Sequence, residues 1–248
     1  TNAVDHQAID IATGSVIPST GYCDQPYVVK LYGGSWLCTM TTGSGDEGES
    51  GQHVAATRSL DRGQTWSPLV AIEPPDGPEA SWAMPYLTSY GRVYVFYTYN
   101  AANMREVIAE TPYASKRVDT LGEYAFKFSD DGGLTWSPRR WFIPVRETAI
   151  DRQNPYAGKV RFFWGVGKPL LHKNAMYLGF AKVGRFGDGF MAHSESWFLR
   201  SDNIDIERDP DKINWHTLPA GDEGLRSPCG SIAEEVNLTS LSDGSLFC

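Results

Sequence analysis

Apolar and polar residues alternate along this chain in short runs, and the runs come in pairs joined by tight turns. Gln25-Pro-Tyr-Val-Val leads through Gly33-Gly34 to Trp36-Leu-Cys-Thr-Met. Met84-Pro-Tyr-Leu leads to Val93-Tyr-Val-Phe-Tyr, and Lys168-Pro-Leu-Leu to Met176-Tyr-Leu-Gly-Phe. A fourth pair begins at Glu235-Val-Asn-Leu and passes Ser242-Asp-Gly244 to reach Phe247. A period of two is what a half-buried strand requires, because successive side chains point to opposite faces of the sheet. No long segment follows the 3.6-residue period of a helix, so the pattern predicts an all-β chain.

A second repeat follows the strand pairs. Ser59-Leu-Asp61-Arg-Gly63-Gln-Thr65-Trp66 and Ser129-Asp-Asp131-Gly-Gly133-Leu-Thr135-Trp136 share the form S-x-D-x-G-x-T-W and lie 70 residues apart. A degenerate copy, Ser201-Asp-Asn203, follows 72 residues later and reaches Trp215 after an insertion. Ser and Asp accept hydrogen bonds from the turn's own backbone, and Gly supplies the positive-φ position. Equal spacing marks a repeat architecture. Each unit then reads as strand, turn, strand, long loop, strand, repeated turn, strand.

These units predict a β-propeller of four-stranded antiparallel blades. Blade one covers 22–73, blade two 81–144 and blade three 163–218, with half of a fourth over 233–248. A propeller closes with typically four to eight blades. The expectation is about three and a half blades of a ring that would have six or seven. Strand direction alternates within a blade, so the long second-to-third-strand loops (41–53, 99–124, 182–194) share one rim with the connections between blades. That rim gathers Asp24, Gln25, Gln52, His53, Glu79, Trp82, Asn103, Arg105, Arg117, Arg146, Arg152, Lys159, Arg161, Trp164, Arg185, His193, Glu234 and Glu235. Polar loops on a rigid scaffold are the place to seek a site.

Composition narrows the function. A net charge of -8 argues against a nucleic-acid partner, which needs a basic face, and no apolar run approaches the roughly 20 residues that span a bilayer. Neither feature excludes an anionic ligand, since a local Arg cluster acts within an acidic protein. The 12% aromatic content suits strands and sugar-stacking platforms alike. Cysteines stand at 23, 38, 229 and 248 with no metal-type spacing, and they read as small buried hydrophobes whose number also allows disulfides. No metal or cofactor is expected. A sequon at Asn237-Leu-Thr239 falls within a predicted strand. The chain starts at Thr1 without Met; a removed signal peptide or a boundary accounts for that, and a secreted or periplasmic location is expected.

The doubled S-x-D-x-G-x-T-W resembles the Asp box (BNR repeat) of the sialidase superfamily, a structural turn that speaks for fold more than for activity. Sialidases carry R-I-P at the first strand, where this chain has Tyr22-Cys-Asp24-Gln25-Pro26, without the Arg. The first long loop, Gly43-Ser-Gly-Asp-Glu-Gly-Glu-Ser-Gly51-Gln52-His53, ends on a histidine. With Asn103-Met-Arg105-Glu106, Asp151-Arg-Gln-Asn-Pro155-Tyr156 and Gly158-Lys-Val-Arg161-Phe-Phe-Trp164, the chain is similar to the seven-bladed enzymes that cut rhamnose–glucuronate linkages and to ulvan lyases.

The resemblance implies an acidic oligosaccharide or polysaccharide substrate cleaved beside a uronic acid, by elimination with a His base. A uronate C5 proton becomes acidic once Arg neutralises the carboxylate, and a neutral imidazole suits its removal. The expected catalytic residues are His53, Arg105 and Arg161. The expected substrate-binding residues are Asp24, Gln25, Gln52, Arg152, His193 and Glu235, with Trp82 and Trp164 stacking on sugar. A sialidase-like hydrolase with a rebuilt Arg set and a glycan-binding propeller without catalysis are the alternatives.

Overall fold

The protein's structure, a computed structural model, describes residues 11–187 and 190–248. The first sheet is β1 (Tyr22–Lys30), β2 (Trp36–Gly43), β3 (Gln52–Ser59) and β4 (Val70–Ala71), antiparallel in chain order. The second repeats that order with β5 (Ala80–Leu87), β6 (Val93–Tyr99), β7 (Glu123–Ser129) and β8 (Trp141–Phe142). The third has β9 (Phe163–Trp164), β10 (Leu170–His172), β11 (Ala175–Gly187), β12 (Phe190–Ser201) and β13 (His216–Leu218). A two-stranded piece pairs β14 (Thr239–Ser240) with β15 (Leu246–Phe247). The architecture is all-β with antiparallel four-stranded sheets of propeller type, and the only α-helices among the described residues are the one-turn α1 (Pro112–Ser115) and α2 (Ala149–Gln153).

The repeated turn has the same geometry twice. Gly63 and Gly133 N–H each donate at 2.7 Å to Ser59 and Ser129 Oγ, and Thr65 and Thr135 N–H each donate at 2.9 Å to Asp61 and Asp131 Oδ1. These donors hold the Asp61 carboxyl down at about 2, the Thr65 hydroxyl acting most. In the third sheet the turn is opened by the insertion, and Asn203 and Asn214 replace the aspartate's bonds.

Neighbouring sheets lock through their inner strands. A bulge between Ser81 and Met84 carries Trp82 at φ 63°, so the ladder leaves local backbone groups without partners. Thr41 of β2 accepts from Trp82 N–H at 2.8 Å, and Thr39 donates to Ala83 C=O at 2.6 Å. Buried Glu73 accepts from Tyr97 and Arg140, tying the first sheet to the second. Aromatic packing of Phe96, Phe126 and Trp215 does the same for the second and third.

Three expectations change. The described residues of 182–194 pair with one another rather than forming a loop, with Arg185 opposite His193, because β11 and β12 extend well past the sheet. The fourth unit's first strand is irregular over 235–238, which leaves Asn237 exposed rather than within a ladder. Of the cysteines only Cys38 is buried, and all four are free thiols.

Candidate functional site

Strand register decides what His53 can meet. His53 pairs with Thr42 and Thr42 with Cys23, so these three share one side of the first sheet. Asp24, Thr41 and Val54 form the adjacent row and point to the other side. His53 is 6% exposed, its Nδ1 has no hydrogen-bond partner, and burial holds its pKa below the ordinary value. The expectation of an accessible ring beside Asp24 and Gln25 is therefore corrected: they lie at the same end of the sheet but on opposite sides.

The expected arginine set does not converge either. Arg105 forms a fork on Glu79, at 2.8 and 2.5 Å. Burial would raise the Glu79 carboxyl, but this fork, Gly51 N–H and Asn100 together hold it below its usual value. Arg161 pairs with Glu123 at 2.9 Å and donates to Val145 C=O, while Arg152 pairs with Asp222 at the surface. Three arginines are thus committed to three different carboxylates at three different loop junctions. Trp82 and Trp164 are not platforms: they are 1% and 6% exposed, with ring centroids 4.4 Å apart inside an apolar cluster. Gln52 is buried and donates to Asp46 C=O at 2.6 Å, closing its own loop.

A different group of residues comes together. Arg117, 2% exposed, donates to Asp119 at 2.8 Å and to Glu47 at 2.9 Å, with its guanidinium 5.7 Å from the Trp164 ring centre. Gly48, at φ 80°, makes the room: any Cβ there would overlap the Arg117 side chain. Asp119 is buried, which pushes its carboxyl up against the opposing pull of Arg117, and Asp24 adds to the rise. The Tyr22 hydroxyl is raised by burial and then by Asp24, Glu47 and Asp119. Glu234 is raised by burial and by Glu235, opposed by Arg117, and its Oε2 is buried without a hydrogen-bond partner. Tyr27, raised to about 12 mainly by burial, also feels Asp24 and Glu235.

These mutual influences place Tyr22, Asp24, Glu47, Arg117, Asp119, Glu234 and Glu235 within one electrostatic cluster drawn from the first, second and fourth repeats. Its backbone carries strain in register with the repeats. Gln25 (φ 49°), Trp82 (φ 63°) and Glu235 (φ 55°) occupy the left-handed region at the starts of the first, second and fourth units. Non-glycine residues persist there only where surroundings impose it, and such positions concentrate at functional sites. Five carboxyls surround one guanidinium, and burial with Glu235 leaves Glu234 poised to keep its proton to higher pH than an ordinary glutamic acid.

Of the expected residues, the structure brings Asp24 and Glu235 into this cluster, with Gln25 at its edge accepting from Tyr27 at 3.3 Å. His53, Arg105, Arg152 and Arg161 stand apart from it, and His193 lines a separate hollow. Arg117 was visible as a rim residue without a role. The one local signal is the alternation Tyr22-x-Asp24 in β1, which places two polar groups on one side of the strand.

No family model and no curated protein sequence matches the chain. Among solved structures it resembles a Hadza microbial sialidase, at 17% identity and a TM-score of 0.54, over 87% of this chain and 39% of that one. A protein of unknown function from Dyadobacter fermentans aligns at 13% identity and a TM-score of 0.63, over 94% of this chain and 63% of that one. A thermostable family-43 glycoside hydrolase aligns at 13% identity and a TM-score of 0.55, over 92% and 64%. The chain spans about two fifths of the first and less than two thirds of the others. At these identities the likeness is one of fold, the propeller of antiparallel sheets that these neighbours share.

Proposed function

We propose that this protein is a carbohydrate-active enzyme that hydrolyses a glycosidic bond at the Tyr22–Asp24–Arg117–Glu234 cluster. The observation that carries the reading is Glu234: a half-buried glutamate whose Oε2 is buried without a partner, raised by burial and by the neighbouring Glu235, with Asp24 acting on the same Tyr27 as Glu235. Glycoside hydrolysis uses one carboxylic acid to protonate the leaving oxygen and a second carboxylate as base or nucleophile. A carboxyl that its environment raises is suited to the acid's role. Glu234 is the general acid, and Asp24 or Glu235 the partner. Arg117 fixes Asp119 and Glu47 around the sugar-facing side. The structural neighbours whose names state sialidase and glycoside hydrolase activity act on sugars in the same fold, which supports the substrate class.

The test is release of reducing ends from a panel of oligosaccharides by the full-length protein and its Glu234→Gln variant. The expected result is a fall in kcat of about 10²–10⁴ with KM little changed, the usual worth of a general acid. Undiminished turnover by the variant removes Glu234 from the mechanism, and no hydrolysis by the wild type on any glycan removes the reading.

Elimination beside a uronic acid is the second reading, and one observation favours it. His53 is neutral at mild pH and its Nδ1 is unpartnered, as a waiting base would be. The arginines it would need for the carboxylate are already paired. New ultraviolet absorbance from an unsaturated uronate, abolished in His53→Ala, would select this reading over hydrolysis.

A further inference from the structure

The hairpin β11–β12 pairs with β9 at its root, where Trp164 stands opposite Ala181 beside the acidic cluster. Four residues farther toward the tip, roughly 13 Å along the strand, Arg185 stands opposite His193 and the hairpin borders a hollow of about 410 Å³. Gln153, Pro155, Gly184, Arg185, His193 and Ser231 line it, with no carboxylate among the described lining residues. The walls are anchored. Gln153 ends α2, whose Asp151 is held by buried Lys182 at 2.5 Å. Ser231 donates to Ala192 C=O at 2.7 Å and accepts from Ser194 N–H at 3.0 Å. Gly184 is the floor, since a Cβ there would stand 2.8 Å from His193 Nδ1 and 2.8 Å from Ile150.

The polar groups of this hollow are only partly engaged. Among the described residues Arg185 makes one solvent-exposed pair, Nε to Glu110 at 3.3 Å. The His193 ring and the Gln153 amide make no hydrogen bond among the described residues. A planar guanidinium fork that holds its own carboxylate only by a long, exposed contact can receive a planar or tetrahedral oxyanion. The volume suits a sugar unit with its substituent. The cluster at the root, with five carboxyls, repels the same charge.

We infer that this hollow is a distal subsite for an anionic substituent on the glycan, a carboxylate or a sulfate ester, held by Arg185 with His193 and Gln153. The inference rests on the hydrolytic reading above and places the recognition of charge at the hairpin, away from bond cleavage.

Titration calorimetry on the full-length protein tests it with three probes: a glucuronate-containing tetrasaccharide, the same tetrasaccharide with its carboxyls reduced, and the reduced form bearing sulfate esters. The wild type is expected to bind at least one charged probe about tenfold or more tighter than the reduced one, the scale of a charge-assisted fork. Which charged probe gains identifies carboxylate or sulfate. Arg185→Gln abolishes the preference. Gly184→Ala, which crowds His193, weakens the charged probe as well. Equal affinity for charged and reduced probes, or a preference that survives Arg185→Gln, overturns the subsite. Hydrolysis without any Arg185-dependent preference leaves the hydrolytic reading standing and removes the subsite; an Arg185-dependent preference without hydrolysis of any glycan does the reverse.

Discussion

Arg117→Met tests whether the buried ion pair holds the acidic cluster together. The substitution keeps the length and most of the volume of the side chain and removes its charge. Arg117 is 2% exposed and Asp119 4% exposed, so water cannot take the guanidinium's place. Asp119 then loses donors at 2.8 and 3.2 Å and becomes a buried carboxylate without a counter-charge. Glu47 loses its 2.9 Å partner too, but it is half-exposed and rehydrates at little cost. Breaking a buried pair by removing one partner costs about 3–5 kcal/mol. A chain of this size moves by about 2–4 °C per kcal/mol, so Tm should fall by roughly 6–20 °C. The cost should depend on pH with a definite sign. Asp119 is already raised above its ordinary value, and losing Arg117 raises it further. A raised carboxyl has its stability intact below the unfolded value, near 3.9, and loses it as pH rises through the folded one. The gap between wild type and variant should therefore be widest at neutral pH and narrow on acidification. Urea unfolding of wild type, Arg117→Met and Arg117→Met/Asp119→Asn at two pH values reads this directly. The double variant should recover part of the loss, since no charge is stranded. A single-variant cost below about 1 kcal/mol, or a double variant no better than the single, refutes the pairing argument.

Glu234→Gln should be more stable than wild type at neutral pH, because it removes a carboxyl that burial makes costly to ionise; the difference should vanish in thermal melts at pH values below the ordinary glutamate range. His53 has the opposite sign: its lowered pKa means stability present above about 6.5 and lost as pH falls through the folded value. His53→Gln should flatten that acid limb in urea titrations, and parallel slopes would refute the burial of the ring. Gly133→Ala and Gly91→Ala both place a Cβ at positive φ, but only the first drives it into Leu37. Gly91→Ala should cost about 1–2 kcal/mol of left-handed strain and Gly133→Ala distinctly more; equal costs in denaturant unfolding would show that the turn does not pack as described.

The strands and the repeated turn were legible in the chain because their signals are local. Period-two alternation needs only neighbouring residues, and Ser59, Asp61, Gly63 and Thr65 bond to one another within a single turn. The all-β class, the repeat and the rim that gathers the long connections followed from those signals. The site did not, for three reasons that lie in space. Register put His53 and Asp24 in adjacent rows and so on opposite sides of one sheet, although they share its end. Packing turned Trp82 and Trp164 inward against each other, because two large rings contribute more by leaving water than by lining it. Ion pairing consumed Arg105, Arg152 and Arg161, each drawn to a carboxylate far away or hidden in sequence, while Arg117, from a long loop, became the buried centre through the space that Gly48 leaves. Residue types and spacing determine which groups reach the rim. Only the tertiary contacts between repeats determine which of them remain uncommitted there, because a charge is satisfied by whatever opposite charge the fold brings within about 3 Å.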